Sequence, residues 1–533
     1  MQDTYDFIVV GAGSAGCALA ARLGEDGRHT VLLLEAGGSD RRFLVQMPMG
    51  YGKVYYDARV NWKYETEPVA ALNGARSYWP RGKVLGGSSS INAMVYVRGH
   101  PGDFDGWGVP GWDWSAVAPV FRRMEDWQGG GDRIRGGGGP LGVTDTTGTV
   151  HPLCDTYLQA AREAGLGIAD DYNGASMEGA ALYQITTRNG WRASAARAYL
   201  RPRRPTLRIL TRASVERIEI ADGRATGVRY RRGGAVRIAH ARREVILSGG
   251  AVNSPHLLML SGIGPGAALA GQGIDVLRDV PAVGQNLQDH LGYDHLYRST
   301  VPTMNQMLGP WHGKLREGLR FLLTRKGPLA LSLNQAGGFV TVEAGAQAPD
   351  IQLYFSPVSY TRAPAGTRPL MSPDPFPGFL LGFNPCRPTS RGHLTLRAAD
   401  PAGPPEIHPN YLDTDYDRRM MIAGTRLIRR LAETRAFGGV IDRRIVPDPD
   451  DDGDAAILAH VRTAAWTVFH PCGTCRMGTD AGSVVDARLR VRGIGGLRVA
   501  DASIFPSIPT GNTNAPSIMV GERASDLVLE DAR

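Results

Sequence analysis

The stretch YDFIVVGAGSAGCALAARLGEDGRHTVLLLEAG (5–37) decides the fold. YDFIVV is a short apolar run with β-branched residues, GAGSAG is a turn, CALAARL carries helical apolar periodicity, and TVLLLEAG is a second apolar run. Strand, glycine turn, helix and strand make one βαβ unit. Gly11, Gly13 and Gly16 fit G-x-G-x-x-G. The first glycine permits the tight turn, the second lets backbone approach a pyrophosphate, and the third lets the helix pack on the strand. The helix start, with Ser14 and Ala15, offers free N–H groups and partial positive charge to phosphates. Glu35 ends the second strand at the offset where an acid meets a ribose hydroxyl. Together these features point to a bound dinucleotide, without saying which.

Working outward, residues 205–250 read as strands (TLRILT, SVERIEI, ATGVRY, EVILSGG) ending in a second glycine turn, and SPHLLMLSG (254–262) reads as a helix. RRGGAVRIAHARRE (231–244) has a hairpin pattern, and GGGDRIRGGGG (129–139) reads as a flexible surface loop. From 296 to 470 the texture changes: Pro-rich loops, 361–378 above all, separate strands such as APDIQLYFSPV and RGHLTLRA. GLRVADAS (496–503) is again a strand and APSIMVGERASDLVLE (515–530) a helix. The fold class is α/β (α+β): a discontinuous Rossmann-like domain and a second domain on an antiparallel sheet. The expected division is 1–295 for the cofactor domain, 296–470 for the substrate domain, and 471–533 for a return to the first. Parts of 45–80 and 150–200 serve the substrate side.

Composition excludes several classes. A chain of 533 residues with 42% apolar residues has ample material for two cores. No run reaches the ~18–20 apolar residues of a membrane span. The N-terminus enters a strand at once with no leader pattern, so a cytoplasmic location is expected. The net charge of +8 is spread along the chain, with lysine only at 53, 63, 83, 314 and 326, and no basic run is interleaved with aromatics, so nucleic acid is not an expected partner. The odd set of five cysteines argues against a disulfide framework. Cys472-Gly-Thr-Cys475 lacks a second ligand pair, so no metal site is expected. Asp448–Gly453 fits half an EF-hand loop but has Ala459 where a Glu is required. It reads as an acidic turn with Asp454 capping the next helix. Gly262-Ile-Gly264-Pro-Gly266-Ala267 follows a helix rather than a strand, leaving one dinucleotide site.

Five further segments carry a resemblance. Gly82-Lys-Val-Leu85-Gly86-Gly87-Ser88-Ser89-Ser90-Ile91-Asn92, the run from Gly250 to Gly264, Gly284-Gln-Asn286-Leu-Gln-Asp289-His290, and the pair His470-Pro-Cys-Gly473-Thr474-Cys-Arg-Met477 and Gly511-Asn512-Thr-Asn514-Ala-Pro occur in one order along the chain. In these the sequence resembles the glucose–methanol–choline (GMC) oxidoreductases, in their bacterial dehydrogenase-like branch. The resemblance implies FAD as the dinucleotide. Its site would comprise Gly11, Gly13, Ser14, Ala15, Gly16, Glu35, Ala36, Trp62 and Arg81. The loop Leu85, Gly86, Gly87, Ser88, Asn92, Ala93, Met94 and Val95 would run over the pyrophosphate and the ring. Val215 would reach the adenine through its backbone, Asp501 and Ala502 the phosphate and ribityl chain, and Asn512 and Thr513 would also belong to the cofactor site. Some relatives hold the flavin covalently through a His of the first signature. Ile91 stands there, so FAD is expected to be non-covalent.

The resemblance also implies that His470 is the base and Asn512 hydrogen-bonds the substrate oxygen, with Asn514 nearer the flavin or its loop. An imidazole with pKa near ~6.5 accepts an alcohol proton at neutral pH, and hydride passes to flavin N5. Choline-oxidising relatives place a Glu before an AGGF-like segment. This chain has Gln335, which implies poor choline turnover. DYNGASMEGAALYQITTRNG (171–190) and CRPTSRG (386–392) resemble dehydrogenases of sugars, polyols or aliphatic alcohols. A non-ionic alcohol is the expected substrate and a quinone or dye-like molecule the expected acceptor, with oxygen, or net non-redox chemistry on the same fold, as alternatives. WHGKLREGLRFLLTRK (311–326) mixes basic and apolar residues at helical spacing. Packing over the substrate domain is the preferred reading, contact with a membrane surface the other.

Overall fold

A computed structural model describes residues 3–360, 372–447 and 453–533. Val31–Glu35 is buried throughout, and the leucine run that makes it so suits a central strand covered on both faces. It lies in a seven-stranded sheet between Thr4–Val10 and Leu207–Thr211, both parallel to it. Ala235–Leu247 follows on the far side of Thr4–Val10, parallel to it, and pairs antiparallel with Arg224–Arg232, which pairs with Ala213–Ala221. Ala235–Leu247 is long enough to serve two neighbours. Its Gly233–Gly234 hairpin end holds Arg224–Arg232, and its last residues, Val245 to Leu247, hold Leu497–Val499 in parallel. A strand from near the C-terminus thus completes the first sheet, so the domain is discontinuous as expected.

The final helix, Asn514–Asp531, locks this return. A Cβ on Gly521 would lie 2.2 Å from the Ala15 carbonyl oxygen, so the helix crosses Ser14–Glu25 in direct backbone contact. Beside the crossing, buried Glu522 accepts hydrogen bonds from Arg22, Arg123 and Tyr199. A buried carboxylate is tolerated only with such pairing.

A second seven-stranded sheet is antiparallel throughout: Ile441–Val446, Leu291–Ser299, Gly378–Pro385, Ile351–Ser356, Ala336–Val340 and Gly179–Leu182, with Trp466–Thr467 added beside Leu291–Ser299. Side chains alternate across its strands. Tyr297, Leu353, Phe355, Phe379, Leu381 and Phe383 form one face and join a core with Asp415–Ala432. Asp294, Gln352, Tyr354, Ser356, Leu380 and Gly382 form the other and turn towards the first sheet. Gly179–Leu182 comes from the 150–200 region expected to serve this side.

Two local expectations change. The glycine-rich 129–139 stretch is anchored rather than free: Arg135 is buried, bonded to Glu125 and to Asp171 at 2.7 Å, and Arg98 binds the same Glu125. Asp454 does not cap its helix. It is the first helical residue, Gly453 is the cap without a side-chain bond, and Asp454 pairs with Arg426. The helix Trp311–Thr324 packs through only one narrow face, Gly313, Glu317 and Phe321. Asp448–Asp452 and most of the Pro-rich 361–378 loop lie outside the described residues. All five cysteines are buried free thiols, and among the described residues no helix is long and apolar enough to cross a membrane and no cluster could hold a metal.

Candidate active site

One continuous cavity of about 830 Å³ runs from the ends of the parallel strands to the polar face of the second sheet. That is within the range of small-molecule and cofactor sites. At one end lie Gly11, Gly13, Ser14, Ala15, Glu35, Ala36 and Val215, with Asp501 and Ala502 beside them. Trp62, Arg81, Gly87, Ser88, Asn92, Ala93, Met94 and Val95 line the middle, and Asn512, Thr513 and His470 the far end.

Gly16, Leu85 and Gly86 do not line it. A Cβ on Gly16 would sit 1.9 Å from the Gly11 carbonyl oxygen, so this glycine seats the helix on its strand. Leu85 packs into the first core, and Gly86, at φ +88°, donates its N–H to the Ala12 carbonyl and turns the loop.

Gly13 behaves differently. Its φ is −79°, open to any residue, and a Cβ there would meet no protein atom closer than 3.8 Å. Protein packing does not demand a glycine at this point. The demand comes from whatever fills the cavity, as close passage of a pyrophosphate would require. The helix it opens has no side-chain cap and no acid in its first turn, so its free N–H groups face the cavity. Glu35 accepts N–H bonds from Ala12 (3.0 Å) and Gly37 (2.7 Å), and burial pushes its carboxyl up to about 7. Asp501 accepts from Gly250, Ser254 and Ser503, tying the last strand to the second glycine turn. Lys83 lies 4.3 Å over the Trp62 ring. These residues fit a dinucleotide cofactor.

At the other end, His470 is buried, with Nδ1 2.9 Å from Nδ1 of His290. His290 Nε2 lies 2.8 Å from the Cys386 carbonyl oxygen. A carbonyl only accepts, so His290 Nε2 carries the proton and its Nδ1 a lone pair. Burial lowers the His290 pKa to about 4 and keeps the ring neutral. His470 Nδ1–H must therefore donate to His290, leaving the lone pair of His470 on Nε2. That nitrogen faces the cavity, 3.1 Å from Asn512 Nδ2, whose Oδ1 accepts from Gln352 Nε2 at 3.0 Å. Asn514 points elsewhere and accepts from Ser14 Oγ at 2.8 Å. Of the two asparagines, Asn512 stands beside His470.

The backbone around His470 is held as firmly. Asp289 accepts its N–H at 2.7 Å and the hydroxyls of Thr467 and Tyr411. Burial raises the Asp289 carboxyl to about 6. Phe469 sits at φ +68°, strained for a bulky residue, with its carbonyl accepting from Arg81 Nη2 at 2.7 Å. Burial, then the nearby His290 and Arg81, put the His470 pKa well below the ordinary imidazole value. The sequence-based expectation of an ordinary value near 6.5 is thus corrected. Desolvation acts against the cation, so the ring rests neutral over a wider pH range.

Residues 5–292 and 388–521 match the N- and C-terminal GMC oxidoreductase family models. The chain belongs to the GMC oxidoreductase family. It is an FAD-dependent oxidoreductase. It is 42% identical to an oxygen-dependent choline dehydrogenase of Vibrio vulnificus, over 99% of this chain and 95% of that one. With the Sinorhizobium fredii protein of the same name it shares 44%, over 98% and 95%. Among solved structures, pyridoxine 4-oxidase of Mesorbium loti superposes with a TM-score of 0.88 at 31% identity, covering 98% of both chains. A formate oxidase variant of Aspergillus oryzae reaches 0.92 at 28%, covering 99% of both.

Three contributors escaped the sequence reading. His290 and Asp289 sit in a quoted motif without an assigned task. Gln352, with Tyr354 and Ser356, belongs to a polar alternation inside APDIQLYFSPV that could have revealed the cavity face. Gln335, read as the substrate-facing amide, is turned away: it accepts the His151 N–H at 2.7 Å and lies 3.2 Å from the Met304 sulfur. Asn334 lines the cavity instead, accepting from Ser356 Oγ.

Proposed function

We propose that this enzyme oxidises a non-ionic alcohol to an aldehyde or ketone, with His470 as the base and a quinone-like molecule as final acceptor. The observation that carries it is the tautomer chain from the Cys386 carbonyl through His290 to His470, which presents a lone pair at Nε2 beside a donor amide. His470 Nε2 accepts the hydroxyl proton, and Asn512 Nδ2 donates to the oxygen as negative charge gathers on it. Gln352 holds the amide so that its NH₂ faces the oxygen. Bound FAD supplies the hydride acceptor for the adjacent carbon. Ile91, with no nucleophilic side chain at the first signature, supports non-covalent binding. Leu333, Asn334, Tyr354, Ser356 and Leu380 give a largely neutral wall for the rest of the alcohol.

A second reading, choline, draws support from the names of the relatives and from Asp294, a carboxylate on the same sheet face that lines the cavity. The two readings separate in one experiment. The oxidised protein is titrated without oxygen with polyols, aliphatic and aromatic alcohols and choline, and flavin bleaching is followed. The proposal expects bleaching by neutral alcohols and little by choline. Efficient choline bleaching that Asp294→Asn weakens about 10-fold or more in KM, as loss of a charge partner should, would establish the second reading. Flavin that no alcohol bleaches would end both.

A further inference from the structure

The helix Trp311–Thr324 touches the body through Gly313, Glu317 and Phe321. At about 100° per residue these three share one face. Trp311, Leu315, Leu319, Leu322 and Leu323 fall opposite, and all five point to solvent, with Trp311 76% and Leu323 82% exposed. Phe43, 49% exposed, lies beside the helix's buried face, its ring centred 6.2 Å from that of Phe321. A contiguous exposed apolar surface of this kind marks an interaction site rather than chance exposure.

Its edges identify the partner. Around the helix, Lys314 flanks the apolar stripe on one side and Arg316 and Arg320 on the other, and Arg325 and Lys326 follow at the C-terminal end. The single acid, Glu317, is buried and bonded to Arg316 at 3.0 Å and Arg320 at 3.6 Å. An apolar centre with cations on both flanks matches the boundary between acyl chains and anionic headgroups, where Lys and Arg extend to the phosphates. A second copy of the chain docking about a two-fold axis would set these cations against each other.

We propose that this face seats the enzyme on an anionic lipid surface, with the helix lying in the interfacial plane. From the helix the chain runs through the 3₁₀ turn Pro328–Ala330 to Leu333 and Asn334 on the cavity wall. Seating the helix therefore brings the substrate-side wall close to the lipid. The inference rests on the surface alone and not on the reaction proposed above.

The test uses the FAD-loaded full chain, sedimented with vesicles of phosphatidylcholine and phosphatidylglycerol in equal parts and with phosphatidylcholine alone. Wild type is expected to bind the mixed vesicles preferentially, and less as salt is raised. Leu319→Glu/Leu323→Glu is expected to bind at least ~10-fold more weakly, since each leucine forfeits its apolar burial. Dye reduction by alcohol should stay unchanged. The single variant Leu323→Glu, at a site 82% exposed, tests the same point with no demand on folding. Equal binding by wild type and variants, or no binding to mixed vesicles, overturns the proposal. So does a dimer, seen by sedimentation velocity, that the variants dissociate while vesicle binding stays absent.

Discussion

The two sheets meet one cavity in different ways. The parallel sheet presents backbone: strand ends, glycine turns and a helix N-terminus. The antiparallel sheet presents side chains, drawn from strands far apart in sequence and aligned on one face. Backbone recognition is written in short contiguous motifs because one turn gathers glycines that seat the helix, as Gly16 does, and glycines that keep the cavity open, as Gly13 does. Side-chain recognition is written in alternation, one residue per strand, and assembles only when Leu291–Ser299, Ile351–Ser356 and Gly378–Pro385 pair.

The largest effect expected on the backbone side is Gly16→Val. With the Gly11 carbonyl oxygen 1.9 Å from even a Cβ, the helix cannot seat, and the protein should be recovered without flavin or not at all, as flavin content per chain will show. On the side-chain side, His290→Ala should lower kcat at least ~10-fold, as loss of a group that fixes a catalytic histidine's tautomer does, with little change in KM and with flavin retained. A KM effect alone would assign His290 to substrate binding rather than to setting the tautomer of His470. Gly13→Ala sharpens the comparison. It meets no protein atom, so thermal stability without cofactor should hold, whereas overpacking the cavity by a methyl, about 1–3 kcal/mol, weakens FAD about 10-fold. Equal loss of apoprotein stability would show that Gly13 serves packing, as Gly16 does.

This contrast explains what the sequence disclosed. The βαβ unit and the discontinuous closure by Leu497–Val499 were legible because each sits in a contiguous motif, and two such motifs hold His470 and Asn512, which the fold brings within 3.1 Å. The partners of His470 were not, since His290 lies 180 positions away and Gln352 lies 160 from Asn512. Gln335 was misplaced because its position before AGGF does not reveal which way its side chain turns at the start of a strand. For the helix 311–326 a related limit holds. Helical spacing shows that apolar residues share a face, not whether that face meets protein.

The smallest effect expected is in pH dependence. Burial lowers the pKa of His470, so its base form persists in acid. The kcat/KM profile should stay flat through about 6.5, the ordinary imidazole value, and fall only below it. An acid limb centred at 6.5 would show an ordinary, solvated histidine. Stability should move with it. His290 and His256, both lowered to about 4 by burial, stay neutral in the fold while the unfolded chain takes up protons, so stability falls as pH drops from about 6.5 towards 4. Glu35, raised to about 7, and Asp289, raised to about 6, bind their protons more readily in the fold and oppose this loss. Thermal unfolding at pH 7 and pH 5 measures the net direction.

The central claim is that His470 takes the alcohol proton. Its most direct test is the anaerobic rate of flavin reduction in a single turnover, comparing wild type with His470→Ala at equal flavin content and saturating alcohol. The account predicts a loss of at least ~10²-fold, the low end for a general base, with the bound flavin spectrum unchanged. A variant that reduces its flavin at the wild-type rate would contradict it.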